Sequence, residues 1–308
     1  MIDVRDLTRR FGDLTAVDAL SFRVAPGELF GVVGPDGAGK TTLLRMLAGV
    51  LRPTAGDACL HGMSVARDPE GVKSEIAYMS QRFGLYADLT VLENISFYAD
   101  LYRVPRRSRA ARIERLFHFS GLEPFAHRLA GRLSGGMKQK LGLSCALIHE
   151  PQILLLDEPT FGVDPISRRD LWMIVHEMVG RGITVLVSTS YMDEAERFDR
   201  LALISSGRLL ALDTPAALQS SLPGQLLSLR IERVRDAQAL AARLPLVRRA
   251  AVFGDHLHLL VDEAQSDLPV IAAALQEAGF PVLDSEVIEP SFEDLFIDRV
   301  TAAEEGER

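Results

Sequence analysis

The stretch that most limits what this chain can fold into is GPDGAGKT, Gly34 to Thr41. It fits G-x-x-x-x-G-K-[ST] and stands between the apolar run LFGVV and the helical run TTLLRMLAGVL. A strand, a glycine-rich turn and a helix in that order form a phosphate-binding loop. Glycines let successive N–H groups curl around phosphate oxygens, and the helix N-terminus adds positive potential. Lys40 is placed to reach the β- and γ-phosphates and Thr41 to hold Mg²⁺. Gly34, Asp36, Gly37, Ala38, Gly39 and Thr42 complete the predicted nucleotide contacts. Asp36 is unusual there, because a carboxylate repels phosphate, so its side chain is expected to point away. A glycine-rich turn without a ligand is the plain alternative.

The surrounding pattern is α/β. Apolar runs of buried-strand length recur at ILLLDEP, ITVLVST and LALIS, with the helical stretch SRRDLWMIVHEMVGR between the first two. Strands alternating with helices imply a largely parallel sheet. MIDVRDL and LSFRVAPGE read as shorter strands before the loop. Residues 85–150 read as mostly helical, with Thr90 and Glu93 forming a capping box. A second pattern begins near Ser220. LLSLRI, DAQALAARL, VRRAAVF, HLHLLVD, LPVIAAALQEAGF and PVLDSEVIE give the order βαββαβ, a small ferredoxin-like unit. Leu257, Leu259 and Val261 alternate along one strand, so one face is expected to be buried. PSFEDLFIDRV adds a helix, and TAAEEGER is expected to be a frayed acidic tail. The predicted domains are therefore 1–220, with a helical subdomain at about 85–150, and 221–308.

ILLLDEP ends in two carboxylates before a proline. Asp157 suits a Mg²⁺ shell through water, and Glu158 suits a general base that polarises an attacking water. LSGGMKQK places Ser134, Gly135 and Gly136 at a helix start, a second anion site. Alone, Ser-Gly-Gly is also an ordinary loop. The net charge of −8 argues against nucleic acid as a partner. The two cysteines, Cys59 and Cys145, have no metal-type spacing and read as reduced, inert thiols. No apolar signal core stands at the start, and no run approaches the roughly 20 apolar residues of a spanning helix. At a membrane, another chain has to do the crossing.

Together, in this order, the motifs resemble the ATP-binding subunit of an ABC transporter, over about residues 1–220. The resemblance implies a P-loop NTPase core of ABC type with a helical subdomain and a small C-terminal α+β domain. It implies ATP and Mg²⁺ as cofactors and ATP hydrolysis as the activity. It assigns Phe11 to stacking on adenine, and Gln81 to Mg²⁺ and to sensing a membrane subunit. It assigns LSGGMKQK to the γ-phosphate held by an opposite subunit, Asp157 to the Mg²⁺ shell, Glu158 to catalysis and Asp164 to the dimer interface. The implied partners are polytopic membrane permease subunits and a second ATP-binding domain, in a homodimer or a heterodimer. The implied location is peripheral, on the cytoplasmic face of the cell membrane. QRFGLYADLTVLENI and PSFEDLFIDRV are similar to the drug- and lipid-type exporter branch, where the C-terminal extension is a dimerising or regulatory element. GPDGAGKTT with STSYMDEAE looks most like the first half of tandem export ATPases.

One position departs from the family. Where a histidine usually reaches the γ-phosphate, this chain has Ser190. Serine is shorter and needs a bridging water to reach as far. Three readings follow: slower hydrolysis, an asymmetric dimer with an intact partner site, or an ATP switch with little turnover. A soluble, non-transport ABC ATPase is a further alternative. The seven histidines, His61, His118, His127, His149, His176, His256 and His258, show no ligand-like grouping beyond the last two, which read as a solvated face. RVPRRSRAAR reads as a solvated helix start or a membrane-proximal segment, and Trp172 as packing.

Overall fold

The first residues form an antiparallel pair, β1 (Ile2–Phe11) and β2 (Leu14–Val24), with burial alternating only in the second half of β2. β3 (Leu29–Val33) is buried at every residue and leads through the glycine loop into α1 (Lys40–Leu47). β4 (Ala55–Leu60) and β5 (Met63–Ser64) extend the first sheet in the order β2-β1-β4-β5. α2 (Pro69–Glu75), capped by the Asp68 carboxylate on Gly71 N–H, leads into β6 (Ile76–Met79). Three helices then occupy the predicted helical segment: α3 (Val91–Leu101), α4 (Arg106–Ser120) and α5 (Gly135–Leu147). The Thr90–Glu93 capping box is formed. β7 (Ile153–Asp157), α6 (Pro165–Gly180), β8 (Thr184–Thr189), β9 (Arg200–Ser205) and β10 (Arg208–Asp213) follow.

The computed structural model describes residues 1–81 and 84–306. Arg82 and Phe83, within the segment whose likeness suggested an exporter branch, lie outside the described residues. The second sheet runs β10-β9-β3-β8-β7-β6 and is parallel except for β10. β3, β7 and β8 are wholly buried because helices and the first sheet cover them, which explains their continuous apolar sequences. Phe30, Val32, Leu43, Leu47, Leu155 and Leu186 belong to one core cluster. Burying each such side chain contributes about 1.5–3 kcal/mol. β3 lies between β9 and β8, so the glycine loop emerges at the carboxyl ends of parallel strands. Crevices at that end are where open α/β sheets bind ligands.

The chain divides into two compact units, Met1–Thr214 and Pro215–Arg308. The division lies ahead of the composition change near Ser220, because α7 (Pro215–Ser220) makes its bonds within the second unit. Gln219 donates to Pro290 O, and Arg299 donates to the Ser221 hydroxyl at 2.6 Å. The rest of this unit is β11 (Gln225–Ile231), α8 (Val234–Ala241), β12 (Val247–Phe253), β13 (His256–Val261), α9 (Ala264–Glu277), β14 (Val282–Ile288) and α10 (Phe292–Gly306). Its antiparallel sheet runs β12-β13-β11-β14, the arrangement that βαββαβ order implies. Leu227, Leu229, Leu257, Leu259 and Val261 form its core with α8 and α9.

The other face of β13 differs from the expectation. His258 does not face solvent. Its Nδ1 lies 3.0 Å from Asp294 Oδ1, and its ring stacks on Phe253 with centroids 4.2 Å apart. α10 covers this face, and it continues to Gly306 rather than fraying after Val300. Asp294 is fully buried and also accepts from the Ser291 N–H and hydroxyl. Burial alone would raise its carboxyl; the bonds from His258 and Ser291 prevail and hold it below the usual range. A depressed folded-state carboxyl stabilises the fold above the unfolded value of about 3.9. That stability is lost as pH falls through the lower, folded value. Asp294→Ala is expected to lower stability by about 1–3 kcal/mol at neutral pH, since it strands buried donors. Hydrogen exchange of α10 between pH 2 and pH 7 checks this: the wild type loosens on acidification, and the variant starts loose.

Among the described residues, no helix is long and apolar enough to cross a membrane. Cys59 and Cys145 are both free thiols, and burial pushes the Cys145 thiol up, which keeps it protonated. Trp172 is 1% exposed and packs in the core.

Candidate functional site

The glycine loop is shaped by contacts that only glycine allows. Gly39 has φ +99°, and a Cβ there would sit 2.3 Å from the Ala16 carbonyl. The loop turns back through Ala38 N–H to Pro35 O and is tied outside by Gly207 N–H to Ala38 O. Gly34 N–H donates to Thr189 O, which fixes the loop's first residue to the end of β8. Lys40 is 4% exposed; its Nζ donates to Gly34 O at 2.8 Å and Pro35 O at 2.9 Å. It also lies 3.0 Å from Glu158 Oε1, a buried ion pair.

The two carboxylates at the end of β7 face different partners. Asp157, 1% exposed, accepts from Thr41 Oγ1 at 3.0 Å and Ser188 Oγ at 2.8 Å on Oδ1, and from Tyr78 at 3.2 Å on Oδ2. Glu158 takes a left-handed backbone, φ +48°, at the point where the strand breaks. That conformation costs a non-glycine residue of order 1–3 kcal/mol and persists where surrounding bonds enforce it. Here Glu158 N–H donates to the Ser188 hydroxyl at 3.1 Å, and Glu158 Oε2 accepts from Gln81 Nε2 at 2.9 Å. The reversal aims Glu158 at the loop while Asp157 stays beneath Thr41. Burial, with Asp157 beside it, pushes the Tyr78 hydroxyl up to about 12, so it remains a donor.

These groups line a cleft of about 440 Å³. Of the predicted residues, Phe11, Asp36, Gly37, Gly39, Lys40, Thr41, Thr42, Gln81 and Glu158 border it. Gly34 and Ala38 are buried beneath the loop, and Asp157 lies beneath Thr41. Asp36 is exposed at the rim. Phe11 is 45% exposed, with the Arg9 guanidinium 4.5 Å over its ring. Phe161, 49% exposed, also borders the cleft and carries no motif signal in the sequence. Ser188 and Tyr78 were equally silent: each is recognisable only once the sheet sets it beside Asp157. A wider depression of about 640 Å³ lies on the second unit; Arg233 at its edge pairs with Asp236 at 2.7 Å, and Asp255 with His256 at 2.8 Å.

Ser134, Gly135, Gly136, Asp164 and Ser190 do not border the cleft. The first four form a separate patch. A Cβ on Gly136 would sit 2.1 Å from the Ser167 hydroxyl and 3.5 Å from Asp164 Oδ2, so this glycine permits close packing of α5 on α6. Ser134 caps α5 by accepting from Met137 N–H, and Asp164 caps α6 by accepting from Ser167 N–H. The latter bond holds the Asp164 carboxyl below the usual range. Ser190 follows β8 directly and is half-buried.

Comparison with known proteins places this geometry. The family model described as "ABC transporter" matches residues 17–161. Daunorubicin resistance ATP-binding protein DrrA3 of Streptomyces coeruleorubidus is 35% identical over 302 residues, covering 96% of this chain and 94% of that protein. The chain belongs to the ABC transporter ATP-binding family. Another family member, the probable multidrug ABC transporter ATP-binding protein YbhF of Escherichia coli (strain K12), is 43% identical over 307 residues. That match covers 98% of this chain but 52% of YbhF, so the chain spans about half the length of that relative. A solved structure of an ATP-binding subunit of an ABC transporter is 28% identical, with TM-score 0.65, over 71% of this chain and 92% of the other. The likeness in fold therefore extends over 71% of this chain.

Proposed function

We propose that this chain binds and hydrolyses ATP to drive an ABC-type exporter. The observation that carries the reading is the Lys40–Glu158–Gln81 constellation at the mouth of the phosphate loop, with Asp157 locked beneath Thr41. The export direction is supported by the names of the drug-resistance and multidrug relatives.

Each side chain has a task in phosphoryl transfer. Loop N–H groups and Lys40 bind the β- and γ-phosphates. Lys40 exchanges Glu158 for phosphate, because a polyphosphate offers more negative charge than one carboxylate. Glu158, freed of that pair and steadied by Gln81, accepts a proton from the attacking water. Phe11 offers its open face to the adenine ring.

The metal donors fit Mg²⁺. Thr41, Asp157 and Gln81 supply hard oxygens, and Mg²⁺ binds through few protein ligands plus phosphates. Among the described residues, no cluster of three or more His, Cys, Asp or Glu suits a softer metal or an all-protein cage. When bound, Mg²⁺ would neutralise charge on the β- and γ-phosphates.

The patch of Ser134, Gly135, Gly136 and Asp164 serves a second ATP-binding domain, across a head-to-tail interface. Its position outside the lining of the chain's own cleft supports that division. γ-Phosphate contacts made only on closure shift the population toward the closed dimer. Ser190 slows hydrolysis without abolishing it, since Glu158, Gln81 and Lys40 are in place. The second unit is a regulatory or dimerising element, and polytopic membrane subunits are the partners that move. Affinity purification of the tagged chain from detergent-solubilised membranes tests the transport reading. A polytopic membrane protein is expected to co-purify in stoichiometric amount; a chain that purifies alone from membrane and soluble fractions contradicts it.

A further inference from the structure

Glu194 is 1% exposed and lies just beyond the Ser190 position. Both its carboxylate oxygens are engaged inside the protein. Oε1 accepts from Trp172 Nε1 at 3.1 Å, and Oε2 accepts from Thr189 Oγ1 at 2.6 Å. The Arg168 Nε stands 3.8 Å from Oε1, and the Arg168 guanidinium covers the Tyr191 ring at 4.2 Å. The Thr189 hydroxyl in turn accepts from Tyr191 N–H at 3.0 Å, closing a turn around Ser190. Thr189 O accepts from Gly34 N–H, the first amide of the phosphate loop. Trp172 and Arg168 lie on α6, the helix that Asp164 caps.

We infer that Glu194 is a positioning residue for ATP hydrolysis, joining the Ser190 turn, the start of the phosphate loop and α6 into one rigid junction. The inference rests on the ATPase reading above. Glu194 does not border the cleft; it acts through Thr189 and Trp172. A buried carboxylate is costly unless its donors are fixed, so the junction has one low-energy arrangement. With the short Ser190 side chain, the γ-phosphate side of the site depends on where the backbone around Ser190 is held. Movement of α6, whose N-terminus carries Asp164, is thereby passed to the loop that holds the phosphates.

Three measurements on the full chain test this: kcat, affinity for a fluorescent ATP analogue, and the thermal midpoint. Glu194→Gln keeps the size of the side chain but removes one acceptor and the charge facing Arg168. It is expected to lower kcat roughly ten- to a hundredfold, as misplaced supporting groups do. Analogue affinity and thermal midpoint stay close to wild type, a split that a purely structural residue does not produce. Thr189→Val, which deletes the other end of the same bond, reproduces the loss and serves if Glu194→Gln does not fold. The double variant falls no further than either single one. Wild-type kcat in Glu194→Gln or in Thr189→Val overturns the positioning role and leaves the ATPase reading standing. Wild-type turnover no higher than the Lys40→Ala blank overturns the ATPase reading instead. Amide exchange then decides the junction by itself. Faster exchange at Gly34 and Tyr191 in Glu194→Gln, at an unchanged midpoint, supports it; unchanged exchange overturns it.

Discussion

Glu158→Gln is expected to bind ATP and to turn it over roughly 10²–10⁴-fold more slowly than wild type, the usual contribution of a positioned general base. The amide keeps the shape of the carboxylate and an oxygen for Gln81 Nε2 to donate to, so the mouth of the cleft is preserved. What disappears is the proton acceptor and the charge that pairs with Lys40 at 3.0 Å. Releasing Lys40 from that pair leaves it free for phosphate, so affinity holds or rises. ATP then stays bound, and the closed pair of domains persists. Size-exclusion chromatography with light scattering reads this directly: the variant runs at twice the monomer mass in ATP and returns to monomer mass in ADP. Equal turnover in variant and wild type removes Glu158 from the mechanism.

The second large effect is on binding. Lys40→Ala removes a buried ammonium that the loop carbonyls of Gly34 and Pro35 hold in place. Truncating one partner of a buried charge pair costs about 2–5 kcal/mol. That is a loss of at least about thirtyfold in ATP affinity. The same change leaves Glu158 buried without its cation, so the thermal midpoint also falls. Titration with a fluorescent ATP analogue measures the first effect and a melting curve the second. A variant that binds the analogue like wild type places the phosphates somewhere other than this loop.

Much of the fold was legible because its signals are local. LFGVV, ILLLD and TVLVST are strands buried on both faces, and such runs can be recognised residue by residue. The βαββαβ order of the second unit follows from alternating apolar positions with turns between them. β4, β5, β6 and β10 were not anticipated. AGDACL and RLLALD are short, partly exposed and held mainly by their neighbours in the sheet. Long-range pairing also hid the residues that brace the site. Ser188 is one polar residue in an apolar strand until β8 lies beside β7 and brings its hydroxyl 2.8 Å from Asp157. Tyr78 needs β6 on the other side of β7. His258 was misjudged for the same reason: strand alternation shows which residues share a face, but not that α10 covers it. The phosphate loop was the opposite case, since its glycines, lysine and threonine act through backbone geometry within one short segment.

The most direct measurement is steady-state phosphate release from Mg-ATP by the purified chain, with Lys40→Ala as the blank. Phosphate release well above the blank, saturating with ATP, is predicted; it would mean that Ser190 suffices where a histidine is usual. Release no higher than the blank, from a chain that still binds ATP, would contradict hydrolysis by this chain.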